Sequence, residues 1–261
     1  MTANSTGSRT GLLGAIYGIY TWIAFITCLV FAIIVALIVP GLDRRRRWVT
    51  AISRAPFMLA GIHTTVRGLE KLPESSCIVV ANHSSYIDGV LVQAYLPPRF
   101  SYVIKGEMGQ VPVAGFLLRR IGSKFVERFD TSGSARDARQ LLKAASAGES
   151  LGFFPEGTFV EEPGLGKFRP GAFAAAIKAG VPVVPVVISG TRHVLPAGRI
   201  LPRHGHFRID ILNPLDRSNP AYGDSRALAA EARRNILEVL DEPDLLADPE
   251  ESGSERSVVR N

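Results

Sequence analysis

The chain is poor in cysteine, with two in 261 residues, Cys28 and Cys77. One falls in an apolar run and the other in an expected strand, so no disulfide framework holds this fold, and the pattern fits a reducing compartment. The chain has no internal repeat. It also has no basic stretch interleaved with aromatics, no zinc-ligand spacing and no helix-turn-helix pattern. These absences argue against nucleic acid as a partner, despite a net charge of +6 and an isoelectric point near 9.6.

The most informative absence is of charge. From Leu12 to Val39 the sequence LLGAIYGIYTWIAFITCLVFAIIVALIV carries no ionisable acid or base of the Asp, Glu, Lys or Arg type. As a helix it measures roughly 40 Å, against a hydrocarbon core of about 30 Å. It exceeds the roughly 7–15 apolar residues of a secretory signal, and PGLDRRRRW follows it in place of a small-residue cleavage site. A membrane helix is therefore expected; a hairpin broken near Gly18, or segments buried in one leaflet, are the alternatives. Arg44 to Arg47 form a stop-transfer cluster, opposed on the N-terminal side only by Arg9 and the amino terminus. The positive-inside rule then predicts that everything after Arg44 is cytoplasmic. The basic balance suits a domain resting on an anionic membrane surface. The expected organisation is a membrane anchor over 1–47, a globular domain over 48–242, and a charged, aromatic-free disordered tail over 243–261.

After the arginines, WVTAISRAPFMLAGI reads as an interfacial helix with Trp48, Ile52 and Leu59 on its apolar side and Pro56 as a kink. Short apolar runs then read as strands: Cys77–Ala81, Tyr102–Ile104, Lys124–Val126, Leu151–Phe154, Val183–Ile188 and Phe207–Leu212. Helical patterns fall between several of them, at Ile87–Tyr95, Ala135–Ala147 and Ala172–Ala179, and Ser225–Leu240 reads as a last surface helix. Alternation of this kind predicts an α/β fold with a mostly parallel or mixed sheet flanked by helices.

Two stretches carry chemistry. In VVANHSSYIDGVLV, His83 and Asp88 are five residues apart. On one continuous helix that step separates side chains by about 140°. The two meet only if His83 lies in the turn after a strand and Asp88 in the first helical turn. The carboxylate would then fix the imidazole tautomer and leave the other nitrogen free to take a proton. Ser84 or Ser85 would be the N-cap. Taken alone, the spacing is more simply a capped helix beside an exposed histidine. The second stretch is LGFFPEGTFVEEPGLGKFRPGAF, where a strand broken at Pro155 brings Glu156, Gly157 and Thr158 to the carboxyl edge of the sheet, with Lys167 and Arg169 as nearby cations.

Together, NH-x4-D, FPEGT and the later VPVVPVVI resemble the glycerolipid acyltransferase family, which includes the 1-acylglycerol-3-phosphate acyltransferases. The likeness covers roughly Val66 to Pro214, with four motifs in order. It implies His83 as general base and Asp88 as the residue orienting it. IKGEMGQVPVAGFLLRRIGSKFVER resembles the second motif through Lys105, Glu107, Pro112, Gly115, Gly122 and Arg128, which implies acceptor positioning with Lys105 and Arg128 near a phosphate. Glu156 and Gly157 match the third motif, and Pro182 and Pro185 the fourth. One residue departs from the pattern: many lysophosphatidate acyltransferases have arginine directly after PEGT, where Phe159 stands here. Lys167 and Arg169 replace its charge, or the acceptor is a different lysolipid or alcohol. The resemblance implies acyl transfer from acyl-CoA or acyl-carrier protein to a lysophospholipid hydroxyl at a membrane, with no cofactor and no metal.

Other classes fit less well. GESLG, from Gly148 to Gly152, matches a nucleophile elbow, but an elbow needs a strand before the serine and a helix after it, and here that order is reversed. His204 and His206 alternate on a strand without further ligands, which reads as a polar strand face. His63 and His193 have no partner pattern. A non-catalytic lipid-binding module would not need the base.

Overall fold

A computed structural model describes residues 5–126 and 131–247. Helix α1 (Ser5–Ile38) runs unbroken through the charge-free stretch, so no hairpin forms at Gly18. There the helix instead meets the domain: a β-carbon at Gly18 would lie 2.8 Å from Leu201 Cβ. Ala24, Cys28, Ala32 and Ala36, spaced four apart, form a buried stripe of small side chains. Helix α2 (Leu42–Leu59) packs closely along it. The opposite side of α1 leaves Leu12, Ile16, Ile19, Ile23, Ile26, Val30, Ile34 and Leu37 exposed. Hydrogen bonds fasten α1 to the rest of the chain near its middle and near its C-terminal end. Tyr17 and Tyr20 donate to the carbonyls of Ala60 and Leu59 at 3.0 Å, and Arg120 Nε donates to Ala36 O at 2.7 Å.

α2 begins two residues before the arginine cluster, takes all four arginines into its first turns and ends three residues after Pro56. It buries Val49, Thr50 and Phe57, while Trp48 and Leu59, two of the residues expected on its apolar side, are exposed. The cluster has a structural role that its charge did not reveal. Arg46 is buried, with Nε donating to Ile121 O, Nη1 to Arg99 O and Nη2 to Ser101 Oγ. Arg45 donates to the carbonyls of Arg120 and Val39.

The remaining elements are β1 (His63–Arg67), β2 (Ile78–Ala81), α3 (Asp88–Tyr95), β3 (Phe100–Lys105), α4 (Gly106–Gln110), α5 (Pro112–Arg120) and β4 (Lys124–Val126), then α6 (Thr131–Ser146), β5 (Ser150–Phe153), α7 (Gly171–Ala179), β6 (Val183–Ser189), α8 (Thr191–Val194), β7 (His206–Ile211) and α9 (Ser225–Leu237). The seven strands form one mixed sheet in the order β1-β7-β6-β2-β5-β3-β4. The five strands from β6 to β4 are parallel; β7 runs antiparallel to β6, and β1 is parallel to β7. β2 is buried along its whole length, as a central parallel strand must be. Apolar clusters cover both faces, one around Leu151, Phe173, Leu228 and Ile236, the other around Phe57, Leu91, Phe207 and Ile209.

Two expectations change. β1 was not among the expected strands. The tail does not begin at 243: Leu165 N donates to Pro243 O, Leu245 N donates to Leu165 O, and Asp244 pairs with Arg233. Residues 243–247 thus belong to the domain, and the rest of the expected tail lies outside the described residues.

Candidate active site

Because β6, β2, β5 and β3 are parallel neighbours, the segments leaving them emerge on one edge of the sheet. His83 leaves β2, Glu156 leaves β5, Lys105 ends β3 and Thr191 follows β6. This carboxyl edge is where open α/β sheets collect ligands.

At the end of β2, Asn82 exchanges two hydrogen bonds with the backbone of Ile188, 2.9 Å and 2.7 Å, which holds the strand end against β6. The next residue turns out of the sheet. His83 Nδ1 lies 2.9 Å from Asp88 Oδ2, and the same oxygen accepts from Ser84 N at 2.7 Å and Ser85 N at 2.8 Å. An acceptor oxygen engaged with two N–H groups leaves Nδ1 as a third donor, so Nε2 is the unprotonated nitrogen of the neutral ring. Asp88 is fully buried, and its Oδ1 has no partner among the described residues. The capping logic is therefore inverted from that expected. Asp88 reaches back to the two serine amides, and the helix-start residue Ile87 makes no side-chain cap. Ser84 Oγ bonds Thr191 Oγ1 at 3.0 Å, and Ser85 Oγ donates to Leu195 O at 2.6 Å. The serines anchor the turn to the chain after β6.

Glu156 locks the turn from the other side. Its Oε1 accepts from His83 N at 2.7 Å and its Oε2 from Gly166 N at 2.9 Å. Burial pushes its carboxyl above the usual range, and the two backbone hydrogen bonds partly offset this. Both oxygens are thus engaged with the backbone, and Glu156 braces the turn that carries His83. Gly157 sits at φ +87°, a left-handed conformation that closes the turn on Phe154 O and that a side chain would strain. Thr158 is exposed and makes only a 3.5 Å contact with the next carbonyl.

The imidazole is 18% exposed and flanked by aromatics that the motif spacing did not single out. Phe154 stacks on it with ring centroids 4.3 Å apart, and Phe159 meets it edge-on at 4.7 Å. Tyr86 packs on Phe159 at 4.7 Å. The residue replacing the usual arginine thus contacts the candidate base.

The expected cations spread out. Lys105 pairs with Glu107 at 2.7 Å, two strands from His83. Arg169 lines an apolar groove of about 510 Å³ with Phe154, Pro155, Leu141 and Ala175. Lys167 lines a separate groove against α9, beside Phe168 and Arg233. Arg128 lies outside the described residues. Ser150, the elbow candidate, is buried at the start of β5 and accepts from Cys77 N at 3.4 Å, which leaves it no access to a substrate.

A histidine held by a buried carboxylate, at the carboxyl edge of an α/β sheet and beside an apolar groove, is an arrangement able to take a proton from an apolar substrate. Residues 63–189 match the family model described as Acyltransferase. A chloroplastic 1-acyl-sn-glycerol-3-phosphate acyltransferase of Brassica napus is 33% identical over 178 residues, 67% of this chain and 49% of that protein. Lysophosphatidylcholine acyltransferase 2 of Mus musculus is 37% identical over 144 residues, 53% of this chain and 25% of that protein. The chain thus spans about half or less of the length of these relatives. The crystal structure of the 1-acyl-sn-glycerophosphate acyltransferase of Thermotoga maritima superposes with a TM-score of 0.72 at 23% identity, covering 88% of this chain and 97% of that one, which is a likeness of fold. The chain belongs to the glycerolipid acyltransferase family.

Proposed function

We propose that the chain transfers a fatty acyl group from a thioester, acyl-CoA or acyl-carrier protein, to the free hydroxyl of a lysophospholipid, and that the acceptor is 1-acyl-sn-glycerol 3-phosphate, giving phosphatidic acid. The observation that carries this is the buried Asp88 on His83 Nδ1, which leaves Nε2 as the proton acceptor. Nε2 takes the acceptor hydroxyl proton as that oxygen attacks the thioester carbonyl. The tetrahedral intermediate then collapses, expelling the thiolate, and Asp88 stabilises the imidazolium formed in the first step. Phe154, which walls both the imidazole and the 510 Å³ groove, suits that groove to an acyl chain. Lys105 and Arg128 are the acceptor-phosphate cations, with Arg169 on the groove and Lys167 beyond it as further positive charge.

One observation favours a second acceptor class. Phe159 puts an apolar edge on the base at 4.7 Å, which suits a lysolipid whose headgroup carries no net charge, such as lysophosphatidylcholine.

The enzyme works at a membrane in this reading. Tyr17 to Ala36, the segment of α1 bonded to the domain, is about 28 Å long at 1.5 Å per residue. A helix attached to its domain over that distance offers the bilayer its exposed side rather than its length, which supports α1 and α2 lying in one leaflet, with the domain on the cytoplasmic face. The test is a panel of acceptors with labelled acyl-CoA and the purified full chain: lysophosphatidate, glycerol 3-phosphate and lysophosphatidylcholine. Preference for lysophosphatidate is expected. Transfer to lysophosphatidylcholine alone would replace the acceptor and keep the reaction. Free fatty acid without any acceptor product would reject acyl transfer.

A further inference from the structure

Between α8 and β7 the chain runs LPAGRILPRHG, residues 195–205. Ile200, at its tip, is 78% exposed, more than any other large hydrophobic side chain described. The loop is held in this shape. Trp22 Nε1 donates to Ile200 O at 2.8 Å, Leu201 packs on Gly18, Pro202 is buried, and Arg203 N donates to Val194 O at 2.9 Å. Arg199 Nε closes the tip on Leu201 O at 2.7 Å. An isoleucine fixed outward in this way sits beside α1 and continues its exposed apolar side at Ile19, Ile23 and Ile26.

Charge points to the same partner. Arg199, Arg203, His193 and His204 are exposed around the tip, and the sequence has no acidic residue between Glu162 and Asp210. Glu161 is the acid that reaches the loop, at Gly198. An apolar tip ringed by cations, continuous with an apolar helix face, matches an anionic lipid surface rather than a protein patch. The loop also connects to the catalytic turn. It starts at Leu195, whose carbonyl accepts from Ser85 Oγ, and follows Thr191, which bonds Ser84.

We propose that residues 198–203 form a second bilayer contact, in which Ile200 enters the acyl-chain region and Arg199 and Arg203 bind lipid phosphates. The contact sets the depth at which the His83 turn meets the membrane. It rests on the membrane reading of α1 given above, and the test separates the two. In the full chain with Cys28→Ala, and with Cys77 fully buried, an environment-sensitive fluorophore is attached at Ile200→Cys, Ile23→Cys or, as a control on exposed α9, Ala230→Cys. The protein is bound to vesicles containing phosphatidylglycerol and acyl-chain spin labels. Blue shift and quenching are expected at positions 200 and 23 and not at 230, with quenching at 200 reduced by Arg199→Glu with Arg203→Glu. Quenching at 23 but not at 200 overturns the second contact and leaves α1 as the anchor; quenching at neither overturns both. Separately, Ile200→Glu should lower transfer to a vesicle-borne acceptor about tenfold, the order expected for losing one buried isoleucine. Transfer to a short-chain water-soluble acceptor should be unchanged, and an equal loss on both would overturn the proposal.

Discussion

Asp88→Asn separates the charge of the orienting residue from its shape. Asp88 Oδ2 accepts from three N–H groups, those of His83, Ser84 and Ser85. In the variant the amide oxygen must take that place, because the amide NH2 cannot accept. The NH2 then falls where Oδ1 lies, a buried position with no partner among the described residues. Leaving that donor unsatisfied should cost about 1–3 kcal/mol of stability. The imidazole stays aligned, yet the imidazolium formed on proton transfer no longer faces a negative charge. Removing that stabilisation should lower kcat on the order of 10²–10⁴-fold, with KM for the acceptor little changed. Chemical denaturation in detergent measures the loss of stability, and steady-state transfer with labelled acyl-CoA measures the loss of kcat. A kcat within a few-fold of wild type, in a variant that folds, would refute the role given to the Asp88 charge.

Phe159→Arg puts a cation beside the base, and the ratio of kcat/KM for lysophosphatidate over lysophosphatidylcholine should rise about tenfold, the scale of one charge-assisted hydrogen bond; an unchanged ratio would remove Phe159 from acceptor selection. Glu156 has a carboxyl pushed up by burial from its ordinary value of 4.5. Its contribution to stability is full below the unfolded value and is lost as pH rises through the higher folded one. The stability advantage of wild type over Glu156→Gln should therefore shrink as pH rises from the ordinary value toward neutrality, and denaturation curves at several pH values would contradict this if the difference stayed constant. Arg46→Ala strips donors from the carbonyls of Ile121 and Arg99 and should destabilise the fold by about 3 kcal/mol, with activity per folded molecule unchanged.

Much of the sheet was legible because its central strands are continuous apolar runs. Val183–Ile188 falls within β6, and Cys77–Ala81 covers the fully buried central strand β2. β1 was not legible because HTTVR is exposed at both ends and only half-buried between them, so neither an apolar run nor a clean alternation marks it. Helical geometry allowed the His83–Asp88 pairing only across a strand-to-helix turn, and it was the resemblance of the ordered motifs that favoured it over a plain capped helix. The role of Glu156 was not legible, because its bonds to His83 N and Gly166 N join segments 73 and 10 residues away through the backbone, which leaves no side-chain pattern. Arg46 reads as one of four like charges until its carbonyl partners are known. Composition identified α1 as apolar, whereas its attachment to the domain comes from long-range contacts such as Trp22 to Ile200.

His83→Ala tests the central claim most directly, in an assay that follows both labelled phospholipid and free fatty acid from acyl-CoA. The expected result is a folded protein, with its α1 attachment intact, that makes no acylated product. Transfer at the wild-type rate would contradict His83 as the base, whatever the acceptor.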